Sequence, residues 1–189
     1  PLPPGVRALF DKAWALFRRV RRKVTRRGRG WHDLTPDMQQ EAEESRLLWE
    51  AASLQGHAPS QANVATMYRD AQGVPCNYTK AIEYYEMASA QGHRHAQCNL
   101  AVLLSAGKAG PPDFDRARLL FEQSAAQGLP EAYVNLGSFY DAGRSVAPDK
   151  GSDSSGSGSS MFKPTPAGPT AVGAGGSTAV APAASSGSS

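Results

Sequence analysis

A chain of 189 residues with 40% hydrophobic residues can hold one ordinary domain, yet it falls below the roughly 45–50% apolar content of typical globular chains, so part of it is expected to stay unpacked. The net charge of +3 is unevenly placed: residues 7–29 carry ten of the twenty Lys and Arg against one acid, Asp11, and the remainder is net acidic. Cys76 and Cys98 are too few for a disulfide framework, and no apolar run approaches the roughly 18 residues that read as a membrane span.

The first predicted element is a basic amphipathic arm, residues 1–34. Val6, Leu9, Phe10, Ala13, Phe17, Val20 and Val24 fall at helical spacing, with Trp14 beside them. Arg18, Arg19, Arg21, Arg22, Lys23, Arg26, Arg27 and Arg29 load the remaining surface. An Arg-rich, acid-poor amphipathic helix fits a transit peptide, a helix lying on an anionic membrane through Trp14 and Phe17, or an arm that clamps RNA phosphates with arginine forks. A fourth reading is structural: Leu9, Phe10 and Phe17 dock on the body and the arginines stay solvated. A secretory leader is not expected, because the stretch has no uninterrupted apolar core.

The body, residues 35–150, begins with Thr35 as a helix cap and Pro36 in the first turn, a helix expected to run to Gln55 and to have no helical partner before it. Glu41, Glu43, Glu44 and Glu50 on it are expected to face solvent and favour its N-terminal dipole. From here the sequence repeats. Gln55-Gly56, Gln91-Gly92 and Gln127-Gly128 stand 36 residues apart, as do Trp49, Tyr85 and Phe121, and Asn63, Asn99 and Asn135. Each unit reads as two helices. Thr79–Gln91 carries Ala81, Ile82, Tyr85, Ala88 and Ser89 on one face, and Gly92 supplies the left-handed residue that ends it. The stretch Ala96–Ser105 then runs back antiparallel until the Gly- and Pro-rich segment Ala106–Pro112 breaks it, and Asp113 or Asp115 caps the next helix.

Gly73-Val74, Asn77, Lys80-Ala81, the run YYEMASAQGH and the later NLA resemble the Sel1-like repeat, a relative of the tetratricopeptide repeat with a longer inter-helix loop. The resemblance spans about residues 42–149. It implies an all-α fold, a right-handed α-solenoid of helix-turn-helix repeats, whose concave face, lined by the first helix of each pair, binds other proteins. On that face Asn63, Asn99 and Asn135 would clamp a peptide backbone, or else bond internally, while Arg69, Arg94 and Arg144 would meet acidic partners. The pattern departs from the family after Glu131–Asp141, where the chain turns to GSDSSGSGSS and no second helix follows. Residues 151–189, rich in Ser, Gly, Ala and Pro, are expected to be a disordered tail.

Catalytic signatures are missing: no Gly-rich phosphate loop ending in Lys-Ser or Lys-Thr, no G-x-S-x-G and no H-E-x-x-H. His93 and His95, two residues apart, point to different sides of a helix and do not make a metal pair. Cys98 reads as a buried free thiol. No cofactor is expected. The expected function is a non-catalytic interaction scaffold or assembly subunit in a reducing, intracellular compartment. The alternative is a structural subunit of an RNA–protein complex such as a mitochondrial ribosome, anchored by the arm.

Overall fold

The computed structural model describes residues 5–26, 28 and 30–144. The expected tail at 151–189, the last residues of the array, and Arg27 and Arg29 lie outside them. The described residues form seven helices and no strand: α1 (Val6–Arg26), α2 (Pro36–Ser53), α3 (Ala58–Arg69), α4 (Tyr78–Ala90), α5 (Arg94–Ser105), α6 (Phe114–Ala126) and α7 (Pro130–Asp141). Helices α3, α5 and α7 begin at Ala58, Arg94 and Pro130, and α4 and α6 at Tyr78 and Phe114, so the helical hairpins recur at one constant interval.

Local chemistry sets the helix ends. Thr35, Asn77 and Asp113 cap α2, α4 and α6, their side-chain oxygens accepting from the backbone N–H of Met38, Lys80 and Arg116. Helices α2, α4 and α6 end alike. At α4, the Gly92 N–H donates to Ser89 O at 2.8 Å and the His93 N–H to Ala88 O at 3.1 Å, a Schellman closure. It places Gly92 at φ +77°, where a Cβ would be strained.

The largest departure from expectation is at the N-terminus. The helix from Thr35 is not alone, and the arm is not a separate piece. Helix α1 packs against α2 and buries Val6, Phe10, Ala13, Trp14, Phe17, Val20 and Val24. Trp49 of α2 is the centre of this contact, with ring centroids 6.5 Å from Phe10, 6.0 Å from Trp14 and 5.2 Å from Phe17. Ser45, fully buried, donates its hydroxyl to Ala13 O at 2.8 Å. Thus α1 stands to α2 as α3 stands to α4 and α5 to α6.

The same contact corrects the reading of the acids. Glu41 accepts from Arg19 and Lys23, each at 2.9 Å, and Lys12 pairs with Glu44 at 3.0 Å. Burial opposes the charge on Glu41, but the hydrogen bonds from Lys23 and Arg19 outweigh it and hold the carboxyl below its ordinary range. Glu43 and Glu50 flank Arg46, which ion-pairs with both. Glu41 and Glu44 thus pair α2 with α1, while Glu43 and Glu50 pair with Arg46 inside α2.

If α1 is part of the core, Phe17→Ala will cost about 3–5 kcal/mol of folding stability, as other large-to-small aromatic core changes do. Urea denaturation followed by circular dichroism measures it; an unchanged midpoint would mean that α1 is a loose arm.

Candidate protein-interaction surface

The residues expected to clamp a peptide are mostly committed to the interior. Tyr85 of α4, fully buried, holds Thr66 of α3 through its hydroxyl at 2.9 Å, and Asn99 of α5 serves the same hydroxyl as a hydrogen-bond partner. Burial pushes the Tyr85 phenol up to about 12, so it stays protonated and able to donate. Asn135 donates its amide to Cys98 Sγ at 3.3 Å, and Asn63 is only 4% exposed. Asn99 and Asn135 thus bond a neighbouring helix while half-buried, and the buried Asn63 amide nitrogen has no hydrogen-bond partner among the described residues.

The arginine candidates divide. Arg69 is paired with Asp70 at 2.6 Å, and its guanidinium lies 6.0 Å from the centre of the Tyr85 ring. Arg94 is exposed and donates to Gln127 O at 3.3 Å. Arg144 lies over Phe114, 5.8 Å from the ring centre. On α1, Arg19 and Lys23 are occupied by Glu41, and Arg21 lies 5.9 Å from the Trp14 ring centre. Arg18, Arg22 and Arg26 are exposed on successive turns and pair with no acid among the described residues. Arg22 and Arg26 help line a shallow depression of about 450 Å³ together with Ala15, Leu16, Arg19 and Lys23.

Sequence reasoning missed a polar link that the repeat itself contained: between α3 and α4 Gln91 donates to Gln61, and between α5 and α6 Gln127 donates to Gln97, both at 2.7 Å. The last helix, expected from the sequence to have no second helix after it, is where that link stops. Tyr133 of α7 holds the register of Gln61 and Gln97 and is 57% exposed, against 2% and 5% for those two. Val134 is 69% exposed, whereas Ala62 and Cys98 at the same register are buried. Gly137 stands where the fully buried Ala65 and Ala101 stand, and a Cβ on it would meet nothing within 4 Å. Tyr140 is also exposed, and Leu119 and Phe114 of α6 add apolar surface on the neighbouring helix. The last helix thus presents to solvent the face that α3 and α5 bury against the helices that follow them.

The Sel1 repeat model matches residues 58–93, 94–129 and 130–151. The chain belongs to the Sel1-repeat family. Sel1-repeat proteins generally mediate protein–protein interactions. The matched stretches start at α3, so α1 and α2 form a hairpin outside the family pattern. Two solved structures are similar. One is a Sel1 repeat protein from Oxalobacter formigenes, 29% identical over 57% of this chain and 44% of that one, with a TM-score of 0.52. The other is c5321, a protective antigen present in uropathogenic Escherichia coli strains displaying an SLR fold, 26% identical over 53% of this chain and 22% of that one, with a TM-score of 0.52. This Sel1-repeat chain therefore spans less than half the length of either. None of the curated proteins compared with it matches.

No group of three or more His, Cys, Asp or Glu able to hold a metal occurs among the described residues. His93 does a structural job. Its Nδ1 accepts from the Ala96 N–H at 3.2 Å, capping α5, and its ring lies 6.0 Å from that of His95. Burial, reinforced by the nearby His95, lowers its pKa from the ordinary 6.5 to about 4. The unfolded chain therefore takes up a proton that the folded chain refuses across this window. Stability present above pH 6.5 is lost as the pH falls toward 4. Burial lowers the His57 and His95 pKa values as well, so they act in the same direction.

Two outcomes follow from this geometry. His93→Asn keeps a capping acceptor but removes the proton site, so its melting temperature will fall less between about pH 7 and pH 4 than that of the parent. Gly137→Ala will raise stability by about 0.5–1 kcal/mol, because the added Cβ enters open space and the helix gains propensity; a loss in chemical denaturation would mean that the α7 face is covered.

Proposed function

We propose that this Sel1-repeat chain is a non-catalytic interaction module, a subunit that joins a larger assembly through the open end of its repeat array. The observation that carries the reading is the exposure of Tyr133 and Val134 at positions that are buried in both preceding repeats. Stacked repeats bury a continuous core only where a neighbour is present, and an end without a polar cap retains its appetite for one. A contiguous apolar surface with aromatic side chains is the usual mark of a protein contact.

A second reading is supported by Arg18, Arg22 and Arg26 on one exposed row of α1, which have no acid to neutralise them among the described residues. Such a row suits the phosphates of RNA, and an RNA–protein subunit would use it as an anchor. The membrane variant has less support, since Trp14 and Phe17, its inserting residues, are buried against α2.

Affinity capture of the chain from its native extract, with and without ribonuclease, separates the two. The interaction-module reading expects the same proteins to persist after ribonuclease treatment. Loss of every partner on treatment would overturn it in favour of the RNA anchor.

A further inference from the structure

We infer that the exposed face of α7 is a seat for one amphipathic helix of the α4 and α6 type, supplied by a polypeptide of different sequence and not by a second copy of this chain, an inference that rests on the interaction-module reading. The repeat supplies the mould. Helix α3 packs on α4 and α5 on α6, and at the register that Tyr133 leaves open Gln61 and Gln97 bond Gln91 and Gln127 of those covering helices. The covering helices bury a small residue, an aromatic four positions on, and a small residue three positions after that: Ala81, Tyr85 and Ala88 in α4, and Ala117, Phe121 and Ser124 in α6.

This chain's own following residues do not carry that stripe. At the same register stand Asp153, Gly156, Ser157 and Ser160. Asp153 in place of Ala81 and Ala117 would bury a charge without a counterion, and Ser157 in place of Tyr85 and Phe121 removes the aromatic filling. Gly156 adds a helix penalty of about 1 kcal/mol against alanine. The repeat pattern nevertheless continues to residue 151, so α7 is laid down as the first half of a hairpin whose second half the sequence does not complete.

The rim specifies the partner further. In the complete hairpin, Lys80 at the start of α4 places its ammonium 5.1 Å from the centre of the Tyr68 ring, and Tyr68 bonds Glu50 at 3.4 Å. Tyr140 repeats that arrangement, bonding Glu122 at 3.1 Å, but its ring is exposed and Asp141 beside it is exposed too. The occupant is thus a helix with a Lys or Arg in its first turn, set over Tyr140 and Asp141, and with the small–aromatic–small stripe against Val134 and Gly137. The open space at Gly137 allows close axial approach, as Ala65 and Ala101 do inside the array.

The chain supplies its own probe. A fluorescent, helix-stabilised peptide of residues 113–127, which carries Asp113, Arg116, Ala117, Phe121 and Ser124, is titrated with the full chain and its anisotropy recorded. Saturable binding is expected, weakened at least about tenfold by Val134→Asp and unchanged by Leu54→Asp, an exposed residue away from α7. Val134 is 69% exposed, so the variant should melt at the parent's temperature, which circular dichroism checks. Absence of binding, or equal binding to Val134→Asp, overturns the inference. A parent dimer that Val134→Asp dissociates in sedimentation also overturns it, because the occupant is then a second copy. The ribonuclease-controlled capture reads the interaction module as a whole, so the two readings can fail separately.

Discussion

Trp49, Tyr85 and Phe121, one on the second helix of each hairpin, are the contacts on which the rest of the array depends. Each is buried and reaches a first helix beside it: Trp49 packs on Phe10, Trp14 and Phe17 of α1, Tyr85 joins Thr66 of α3 to Asn99 of α5, and Phe121 lies 5.9 Å from Phe139 of α7. A large ring at this point demands small residues around it, which Ala52, Ala88 and Ser124 provide one turn further along the same helices. Close packing then leaves little freedom in how one hairpin meets the next, and so the unit repeats. The chemistry of the ring varies with its surroundings. Indole fills the wide aromatic N-terminal cluster, phenol bonds two polar neighbours, and phenyl meets an apolar one.

The N-terminal hairpin shows how a divergent sequence can occupy a repeat position. Helix α1 carries none of the family residues, yet its apolar stripe closes over Trp49, and its cations are sorted by facing. Lys12, Arg19 and Lys23 meet Glu44 and Glu41 across the helix pair, whereas Arg18, Arg22 and Arg26 look outward. Exposed pairs of this kind contribute little each. Their effect is directional: they reward one rotation of α1 on α2 and leave the other face for a polyanion or for solvent.

At the opposite end the same rules leave a deficit. An array is stabilised by neighbour contacts, so the terminal helix keeps whatever face its missing neighbour would have covered. Helix α7 has Ala132 and Phe139 turned inward and Tyr133, Val134 and Gly137 turned out. The inward set is enough to hold the helix against α6, and the outward set is free to act. Among the described residues the array therefore ends on a helix whose outward face is exposed.

The sequence by itself determined the all-helical repeat, the caps at Thr35, Asn77 and Asp113, the glycines that end the helices, and the burial of Cys98. All of these depend on residues within a few positions of one another or on a strict period, and both are readable along the chain. Only the tertiary structure decided that α1 belongs to the array, that Glu41 is an ion-pair hub, and that Asn99 and Asn135 bond inward. It also decided which face of α7 stays open. The physical reason is that an amphipathic stripe announces that a helix will be buried but not against what. A polar side chain at a repeated position likewise reveals its partner only when the neighbouring helix is in place.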